Sequence, residues 1–352
     1  MLAALLLSGS AMAQQNDKVW RIVDSIVATV GLPYALRSHQ VYCGASVGIA
    51  FFPDDAKDGD TLIIKADQAM YEVKKSGRNG WLFYTDEMQK KSERRHDLFT
   101  QLVEALKQNV LTVHYQPIHS LKENRIVGCE ALARWPQADG SFVPPDVFIP
   151  LAEESGLVIA IDLLVLQAAR DFVSGLNDAF DESLHLSVNV STRLLYMRDE
   201  SAQAWFRLIK SAGNVPITVE ITERVLVEDA ARALQLLNEL SSAGVSISID
   251  DFGTGYSGLN YLSRFPVHGL KIDRSFVDKI GQAKTEEALI ETILLMATKL
   301  NLSVVAEGVE TQEQLDFLRA ADCDLVQGYF LGRPVPAAQF LEIMQTQADA
   351  RR

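Results

Sequence analysis

The amino-acid sequence predicts an α/β fold: a (β/α)8 barrel of the TIM type, with a partial α+β unit at the N-terminus. Three observations support this prediction. From about Leu98 to about Met344, short apolar strands alternate with amphipathic helices. Roughly eight such strand-helix pairs in about 250 residues match the size and rhythm of this barrel. Polar side chains also stand where the strands end, and such barrels carry their active sites at the C-terminal ends of the strands.

The barrel strands are predicted from short apolar runs bounded by turn residues. In chain order they are LTVHYQPI, RIVGCEAL, LHLSVNV, ITVEIT, VSISIDD, GLKID, LSVVAEG and DLVQGYF. The helices between them are predicted from apolar residues at helical spacing. They include IDLLVLQAARDF, ERVLVEDAARALQLLNEL, EEALIETILLMATKL and TQEQLDFLRAA.

The N-terminal part predicts a smaller α+β unit. Apolar residues from Val19 to Val30 follow helical spacing, and the alternating strand VYCGASVGIAFF comes next. A second helix, TLIIKADQAMYEVKK, leads through the turn SGRNG into the strand WLFY. The charged run DEMQKKSERRHD then predicts an exposed helical connector. We therefore predict three regions: 1–86, 87–97 as the linker, and 98–346 as the barrel.

Composition excludes several classes of partner. The chain has 33 Lys+Arg against 46 Asp+Glu, a formal net charge of -13, which argues against a nucleic-acid polymer or an anionic membrane surface as the main partner. Cys43, Cys129 and Cys323 lack the spacing of a disulfide framework or a zinc site, so a reducing cytoplasm is expected.

The N-terminal segment MLAALLLSGSAMAQQ imitates a signal peptide, but its basic n-region is missing, so export is not expected. No other stretch is long and apolar enough to span a bilayer. We expect a cytoplasmic chain without a membrane segment, although a longer parent protein could be membrane-attached through upstream regions.

Each predicted barrel strand ends in a group that can bind a metal or a phosphate. These groups are Gln116, Glu130, Asn189, Glu220, Asp250 with Asp251, Lys271 with Asp273, Glu307, and Gln327. A single polar residue at a strand exit is ordinary, but several carboxylates at one barrel mouth repel and lose hydration unless cations compensate them. The cluster therefore indicates bound metal.

The ligand types indicate which metal. Carboxylate and amide oxygens, without thiolate or histidine, favour Mg²⁺ or Mn²⁺ over zinc or copper. Asp250 ends its strand and is the natural bridging ligand, while Asp251 can reach a second ion. Two ions roughly 3.5–4 Å apart would hold a phosphodiester, lower the pKa of a water and stabilise both reacting oxygens. The residues thus predict a metal-dependent phosphodiesterase.

Residues from Leu98 to Met344 closely resemble the EAL domain, the bacterial phosphodiesterase family that opens cyclic di-GMP. The motifs that carry the resemblance are CEALARW, SVNVS, VEITE, IDDFGTGYS, LKIDRSF, AEGVET and QGYFLGRP. E-A-L-x-R alone would be weak evidence, because these residues are common helix formers. The ordered set over the whole domain is specific.

The resemblance implies a role for each matching residue. The ligands of a first divalent cation would be Glu130, Asn189, Glu220 and Asp250, and those of a second Asp250, Asp251 and Glu307, with Asp273 close by. Lys271 would hold the attacking water or neutralise developing charge, and Glu307 is the candidate general base; a hydroxide generated by the metals alone stays open. Substrate-binding residues would be Gln116, Arg134, Lys271 and Gln327, with the guanidinium on a phosphate.

Glu223 has two readings. A glutamate in the first turn of a helix is commonly just favourable with the helix dipole. In the EAL family the matching glutamate supports catalysis, because it anchors the loop after the double aspartate. Gly253 and Gly255 would let that loop bend tightly.

The segments SVGIAFFPDD and ADQAMYEVKKSGRNG resemble the C-terminal half of a GGDEF domain, the diguanylate cyclase family. The match covers about Leu2 to Tyr84. The Gly-Gly-Asp-Glu-Phe signature is absent from the chain, so cyclase activity is not expected. In that family an apolar strand follows the signature, and MLAALLL fits it, so Met1 is expected to be an internal start within a longer protein.

The leading hypothesis is a phosphodiesterase that hydrolyses cyclic di-GMP to linear pGpG by in-line attack of a metal-activated water. An alternative is a non-catalytic cyclic di-GMP receptor that signals to a partner, although the chain retains the residues that such receptors typically lose. A second alternative is another metal-assisted barrel enzyme, which would not explain Arg134. The family resemblance also implies a homodimer formed through the barrel.

Overall fold

The computed structural model describes residues 4–8, 12–37, 39–196, 200–211, 213–223, 225, 230–253, 262, 264–282 and 284–351, with side chains from residue 19 onward. The chain divides into two compact units, Met1–Gln101 and Leu102–Arg352. The division predicted from the sequence remains a prediction: 1–86, 87–97 and 98–346.

The first unit is built on a small parallel sheet. Strand β1 (Ala4–Ser8) pairs with β4 (Ser46–Phe52), and β4 pairs with β5 (Gly80–Phe83). The apolar N-terminal strand and the strand WLFY were both predicted, and both are present. The other elements are helix α1 (Met12–Val30), the hairpin β2 (Tyr34–Leu36) and β3 (His39–Val41), and helix α2 (Gly59–Lys75).

Helix α2 shows how local sequence builds this unit. Asp58 caps its first turn, because the carboxylate accepts a hydrogen bond of 2.8 Å from the Thr61 backbone N–H. The buried residues of α2 lie on one face of the helix: Leu62, Ala66, Ala69, Met70 and Val73. They form the apolar face that packs on the sheet.

The predicted charged connector is part of one continuous helix, α3 (Asp86–Lys107). The helix covers 87–97 and continues to Lys107. Its first half is mostly exposed, whereas Leu102 and Ala105 in its second half are buried. The charged run lies within the first half of this helix, and the helix does not end where the run ends.

Within the described residues of the second unit, eight strands close a barrel. They are β6 (Thr112–Ser120), β7 (Arg125–Pro136), β9 (His185–Asn189), β10 (Ile217–Thr222), β11 (Ser246–Phe252), β12 (Gly269–Ile272), β13 (Ser303–Ala306) and β14 (Leu325–Val326). Two short strands extend the sheet: β8 (Phe142–Val143) pairs with β7, and β15 (Val335–Pro336) pairs with β6. The predicted barrel fold is confirmed.

In the described part of the second unit, helices follow or connect these strands. They are α4 (Pro145–Ser155), α5 (Val158–Phe180), α6 (Thr192–Tyr196), α7 (Glu200–Lys210), α8 (Ala230–Ser242), α9 (Arg274–Val277), α10 (Lys284–Leu300), α11 (Gln312–Ala320) and α12 (Ala337–Asp349). None of the helices in the described ranges has the length and apolar character that a membrane crossing requires.

One strand departs from the predicted pattern. β6 runs antiparallel to both of its neighbours, β7 and β14. The cause is the short connection after Ser120, which folds β6 and β7 into a hairpin, and a hairpin is antiparallel. Gln116 therefore does not end a strand at the C-terminal mouth as predicted; it lies inside β6, directly opposite Glu130 in the middle of β7.

Alternation along the strands separates the core from the barrel interior. In β11, Ile247 and Ile249 are buried on one face, while Ser248 and Asp250 lie on the other. Glu220 of β10 pairs in register with Ser248, and Thr222 pairs with Asp250. Carboxylates of neighbouring strands consequently point into the same end of the barrel.

Candidate active site at the barrel mouth

A buried lysine stands among four carboxylates. Lys271 on β12 is 1% exposed. Its Nζ lies 2.7 Å from Glu307 Oε1, 2.8 Å from Glu220 Oε2, 3.3 Å from Glu130 Oε2 and 3.4 Å from Asp250 Oδ1. Since these residues come from five different strands or strand exits, closure of the barrel is what brings them together.

The lysine stays charged in this environment. Burial alone would lower the pKa of Lys271, but the surrounding carboxylates, Glu130 first among them, raise that pKa well above its usual range. For Glu130, burial acts to raise the pKa. Lys271 and the hydrogen bonds from Gln327 and Asn189 outweigh it, so the pKa of Glu130 is lowered.

The other carboxylates are not fully compensated. Burial, followed by the charges of Glu130 and Asp250, raises the pKa of Glu220 well above its usual value despite the contact with Lys271. Burial and Asp250 raise the pKa of Glu307 to about 7, against the effect of Lys271. One ammonium group therefore does not neutralise this cluster.

A chain of amide hydrogen bonds orients Glu130. Asn189 Nδ2 donates to Glu130 Oε1 at 2.6 Å, and Gln327 Nε2 donates to Glu130 Oε2 at 2.7 Å. Gln327 Nε2 also donates to Gln116 Oε1 at 2.9 Å, and Gln116 donates to the Gly332 carbonyl at 3.2 Å. The two glutamines predicted to bind substrate thus also position the glutamate of the E-A-L motif.

The double aspartate occupies an irregular end of β11. The register between β11 and β12 shifts between Ile249 and Phe252, and Asp251 has a φ of 54° in the left-handed region. This turn brings ligand oxygens of Asp250, Asp251 and Glu307 to within 4.8 Å of one another. Burial, Asp250 and Asp273 raise the pKa of Asp251 to about 6.

Two further predicted residues lie at the edge of this cluster. Asp273 follows β12 and accepts a hydrogen bond of 3.0 Å from the Ser275 backbone N–H, so its carboxylate also caps α9. Arg134 on β7 is half-buried and donates to the Ala133 carbonyl at 2.9 Å. Burial lowers the pKa of Arg134, while Tyr329 and Glu130 act in the opposite direction.

Glu223 directly follows β10 and is buried. Gly253, at the start of the loop that Glu223 is predicted to anchor, has a φ of 99°, as the predicted tight bend requires. Gly255 and the rest of that loop, 254–261, lie outside the described residues. The anchoring role therefore stays a prediction.

The donor set fits divalent cations with oxygen preference. Glu130, Asn189, Glu220, Asp250, Asp251 and Glu307 offer carboxylate and amide oxygens only, as Mg²⁺ and Mn²⁺ prefer. The raised pKa values of Glu220, Glu307 and Asp251 indicate that Lys271 alone does not balance the negative charge of the cluster. Added cations would remove this imbalance.

The sequence did not reveal the residues that contact the neighbours of the proposed cation ligands and help to position them. Asp162 at the start of α5 accepts hydrogen bonds from Ser191 Oγ at 2.6 Å and from the Ser191 backbone N–H at 3.2 Å. Ser191 lies two positions after Asn189, inside the motif SVNVS. A second set surrounds Arg274, which follows Asp273 within LKIDRSF. Ser191 and Arg274 both lie inside motifs that carry the EAL resemblance, but the sequence does not show which residues they contact.

The chain matches two known families. Residues 100–334 match the EAL domain, and residues 4–80 match the diguanylate cyclase, GGDEF domain. Two relatives from Pseudomonas aeruginosa are each 37% identical to the chain. One is the bifunctional diguanylate cyclase/cyclic di-GMP phosphodiesterase MucR, over 323 residues that cover 91% of this chain and 47% of MucR. The other is the cyclic di-GMP phosphodiesterase NbdA, over 318 residues that cover 89% of this chain and 40% of NbdA.

The chain thus spans less than half the length of these two curated relatives. Among solved structures, the EAL enzyme Bd1971 with cAMP and cyclic-di-GMP bound matches with a TM-score of 0.67 and 33% identity, covering 72% of this chain and 69% of that one. The MucR phosphodiesterase in complex with c-di-GMP matches with a TM-score of 0.65 and 36% identity, covering 69% and 99%. The chain belongs to the EAL domain family, and a partial GGDEF segment precedes its EAL domain.

Proposed function

We propose that this chain is a divalent-cation-dependent phosphodiesterase that hydrolyses one phosphodiester of cyclic di-GMP and releases linear pGpG. The observation that carries the proposal is the cluster around Lys271, where four carboxylates lie within 3.4 Å of a single ammonium group. Such a pocket needs further cations, and cations in a barrel mouth suit a phosphodiester substrate. The cyclic di-GMP phosphodiesterase activity for which the relatives MucR and NbdA are named supports the choice of substrate.

Two groups of residues would hold the cations, Mg²⁺ or Mn²⁺. Glu130, Asn189, Glu220 and Asp250 would hold the first, and Asp250, Asp251, Asp273 and Glu307 the second. When bound, the cations would supply charge neutralisation and a water of lowered pKa for in-line attack on phosphorus.

The chain's own residues would then do three things. Lys271, charged and fixed by four carboxylates, would stabilise negative charge that develops on the phosphate. Glu307, with a pKa of about 7 before cations bind, suits a group that accepts a proton near neutral pH. Arg134 would bind a phosphate oxygen through its guanidinium, and Gln116 and Gln327 would line the nucleotide site.

Incubation of the purified chain with cyclic di-GMP tests the proposal. We expect pGpG, separated by chromatography, in the presence of Mg²⁺ or Mn²⁺ and no product after addition of EDTA. Glu130→Gln keeps the size of the side chain but removes a charged ligand, so it should abolish turnover. Glu342→Gln, on the exposed face of α12, is the matched control and should retain activity.

The outcomes separate the alternatives. Tight binding of cyclic di-GMP without formation of pGpG would contradict the phosphodiesterase hypothesis and support the receptor hypothesis. Full activity of Glu130→Gln would overturn the assignment of this site. Hydrolysis that persists in EDTA would overturn the cation requirement.

The proposal also covers the cellular compartment and the oligomeric state of the chain. We place the chain in the cytoplasm, because Cys43, Cys129 and Cys323 are all free thiols. We also propose a homodimer through the barrel, which light scattering of the purified chain would test; a monomer at micromolar concentration would contradict it.

A further inference from the structure

A short helix lies between two strand exits that carry predicted cation ligands. Helix α9 (Arg274–Val277) follows β12, and β12 pairs with β11 on one side and β13 on the other. The exit of β11 carries Asp250 and Asp251, and the exit of β13 carries Glu307. Two side chains of α9 contact these two exits separately.

Phe276 packs against the exit of β11. A Cβ atom placed on Gly253 would lie 3.0 Å from both Cε2 and Cζ of the Phe276 ring. The ring therefore lies directly on the Gly253 backbone, two positions after Asp251. Because Gly253 has a φ of 99°, a larger residue there would be strained as well as crowded.

Arg274 packs against the exit of β13. A Cβ atom placed on Gly308 would lie 2.4 Å from Arg274 Cγ and 2.8 Å from Arg274 Cβ, so the arginine stem covers the backbone next to Glu307. The guanidinium forms ion pairs with Glu310, at 3.0 Å, and with Asp278, at 3.1 Å. Arg274 thus contacts the exit of β13 at two points, the Gly308 backbone and the Glu310 carboxylate.

The helix itself is fixed to β12. The Asp273 carboxylate accepts a hydrogen bond of 3.0 Å from the Ser275 N–H and another from the Ser275 hydroxyl. The Glu307 N–H donates to the Ile272 carbonyl at 3.1 Å, which fixes the start of the β13 exit against the same strand. Helix α9 therefore has a defined position, and from that position its side chains contact both strand exits.

We propose that α9 is a spacer that sets the separation between the carboxylates of Asp251 and Glu307. Arg274 and Phe276 are positioning residues for the second cation; this inference rests on the proposed function. The competing explanation is that Arg274 contributes only an exposed ion pair, which would contribute little to stability and would leave cation binding unchanged.

Titration of the cation-free full chain with Mn²⁺ by calorimetry tests the spacer. Arg274→Ala and Phe276→Ala should weaken the second binding step by about 10- to 100-fold, the cost typical of removing a group that orients a ligand. The first step should change much less than the second, because three of its four proposed ligands, Glu130, Asn189 and Glu220, contact other strands and not α9 among the described residues, and only Asp250 is shared with the second cation.

Two controls match the variants in type. Arg319→Ala removes an exposed ion pair with Asp316 on α11, and Phe317→Ala removes a half-buried ring from the same helix. Both should bind two Mn²⁺ ions as the unmodified chain does. Melting followed by circular dichroism checks that each variant is folded, and Phe276→Leu gives a conservative variant that should retain most of the second step.

Charge reversal gives a sharper test. Arg274→Glu should weaken the second step, and adding Glu310→Arg should restore it at least in part, since the ion pair forms again in the opposite sense. Equal weakening of both steps, loss of the second step in Arg319→Ala, or unchanged binding in Arg274→Ala and Phe276→Ala would each overturn the spacer. A single Mn²⁺ site in the unmodified chain would overturn it too.

Failure of the spacer and failure of the proposed function give different results. If the unmodified chain binds two Mn²⁺ ions and forms no pGpG, the proposed function fails, and the binding data still decide on the spacer. If the unmodified chain forms pGpG and the α9 variants bind both ions normally, only the spacer fails.

Discussion

Lys271 Nζ lies 2.7 Å from Glu307 Oε1, and this ion pair joins β12 to the residue that directly follows the neighbouring strand β13. The lysine is fully buried, and three further carboxylates surround it. A buried ion pair is strongly destabilised when one partner is removed, because the other charge is left uncompensated. We therefore expect both the stability and the activity of the chain to respond to cations.

Lys271→Met should abolish hydrolysis and destabilise the cation-free protein by about 3–5 kcal/mol at neutral pH, since the carboxylates lose their buried counterion. Mn²⁺ should restore a large part of the lost stability, because the cations compensate the same carboxylates. Urea unfolding in EDTA and in Mn²⁺ measures both effects. An equal loss of stability with and without Mn²⁺ would contradict this account; Lys279→Met, on an exposed lysine after α9, is the control.

The affinity for Mn²⁺ should increase with pH between 5.5 and 8. Glu307 and Asp251 have pKa values of about 7 and about 6 in the cation-free protein, so below those values a cation must displace protons from both carboxyls. Each displaced proton costs about tenfold in affinity for every pH unit below the pKa. Calorimetry at three pH values, with two buffers to count released protons, measures this; a flat profile would be evidence against these ligands.

The raised pKa of Glu307 also predicts how folding depends on pH. An unfolded glutamate ionises near pH 4.3, whereas Glu307 in the folded, cation-free protein stays protonated up to about pH 7. The folded state binds more protons in this window, so its contribution to the free energy of unfolding decreases as the pH increases through it. Glu307→Gln should remove that decrease. Urea unfolding in EDTA at pH 5 and 7.5 should therefore show a smaller pH difference for the variant than for the unmodified chain.

Asp162→Ala should lower the free energy of unfolding by about 1–3 kcal/mol, because it leaves the Ser191 hydroxyl and N–H without their acceptor. Activity should decrease about tenfold, since the turn after β9 positions Asn189. Asp178→Ala is the control on the same helix: its exposed carboxylate accepts from Asn214, and its loss should cost less than about 1 kcal/mol. Equal effects of the two variants on activity would argue against a positioning role.

Gln327→Ala should weaken the first Mn²⁺ binding step and lower the hydrolysis rate, each by about tenfold. The reason is that Gln327 donates to Glu130 at 2.7 Å and helps to hold the pKa of that carboxyl low. Calorimetry and the rate of pGpG formation measure the two effects. Gln347→Ala breaks amide contacts with the Ile126 backbone, away from this hydrogen-bond chain, and should bind Mn²⁺ normally.

Much of the fold was predictable from local pattern. The alternation of apolar strands and amphipathic helices predicted the barrel, because the period of two in strands and 3.6 in helices is written into neighbouring residues. The antiparallel direction of β6 was not predicted. It depends on the hairpin connection to β7, and its consequence, Gln116 opposite Glu130, appears only when the two strands pair.

The sequence by itself determined which groups the site contains: carboxylates, amides, one lysine and one arginine on apolar strands or at their ends, in the order typical of the EAL domain. Only the tertiary structure decided that Lys271 is enclosed by Glu130, Glu220, Asp250 and Glu307, and that Arg274 and Phe276 press on Gly308 and Gly253. The physical reason is distance along the chain. Local periodicity places each side chain on its own strand, whereas the separations between strands arise from closure of the barrel.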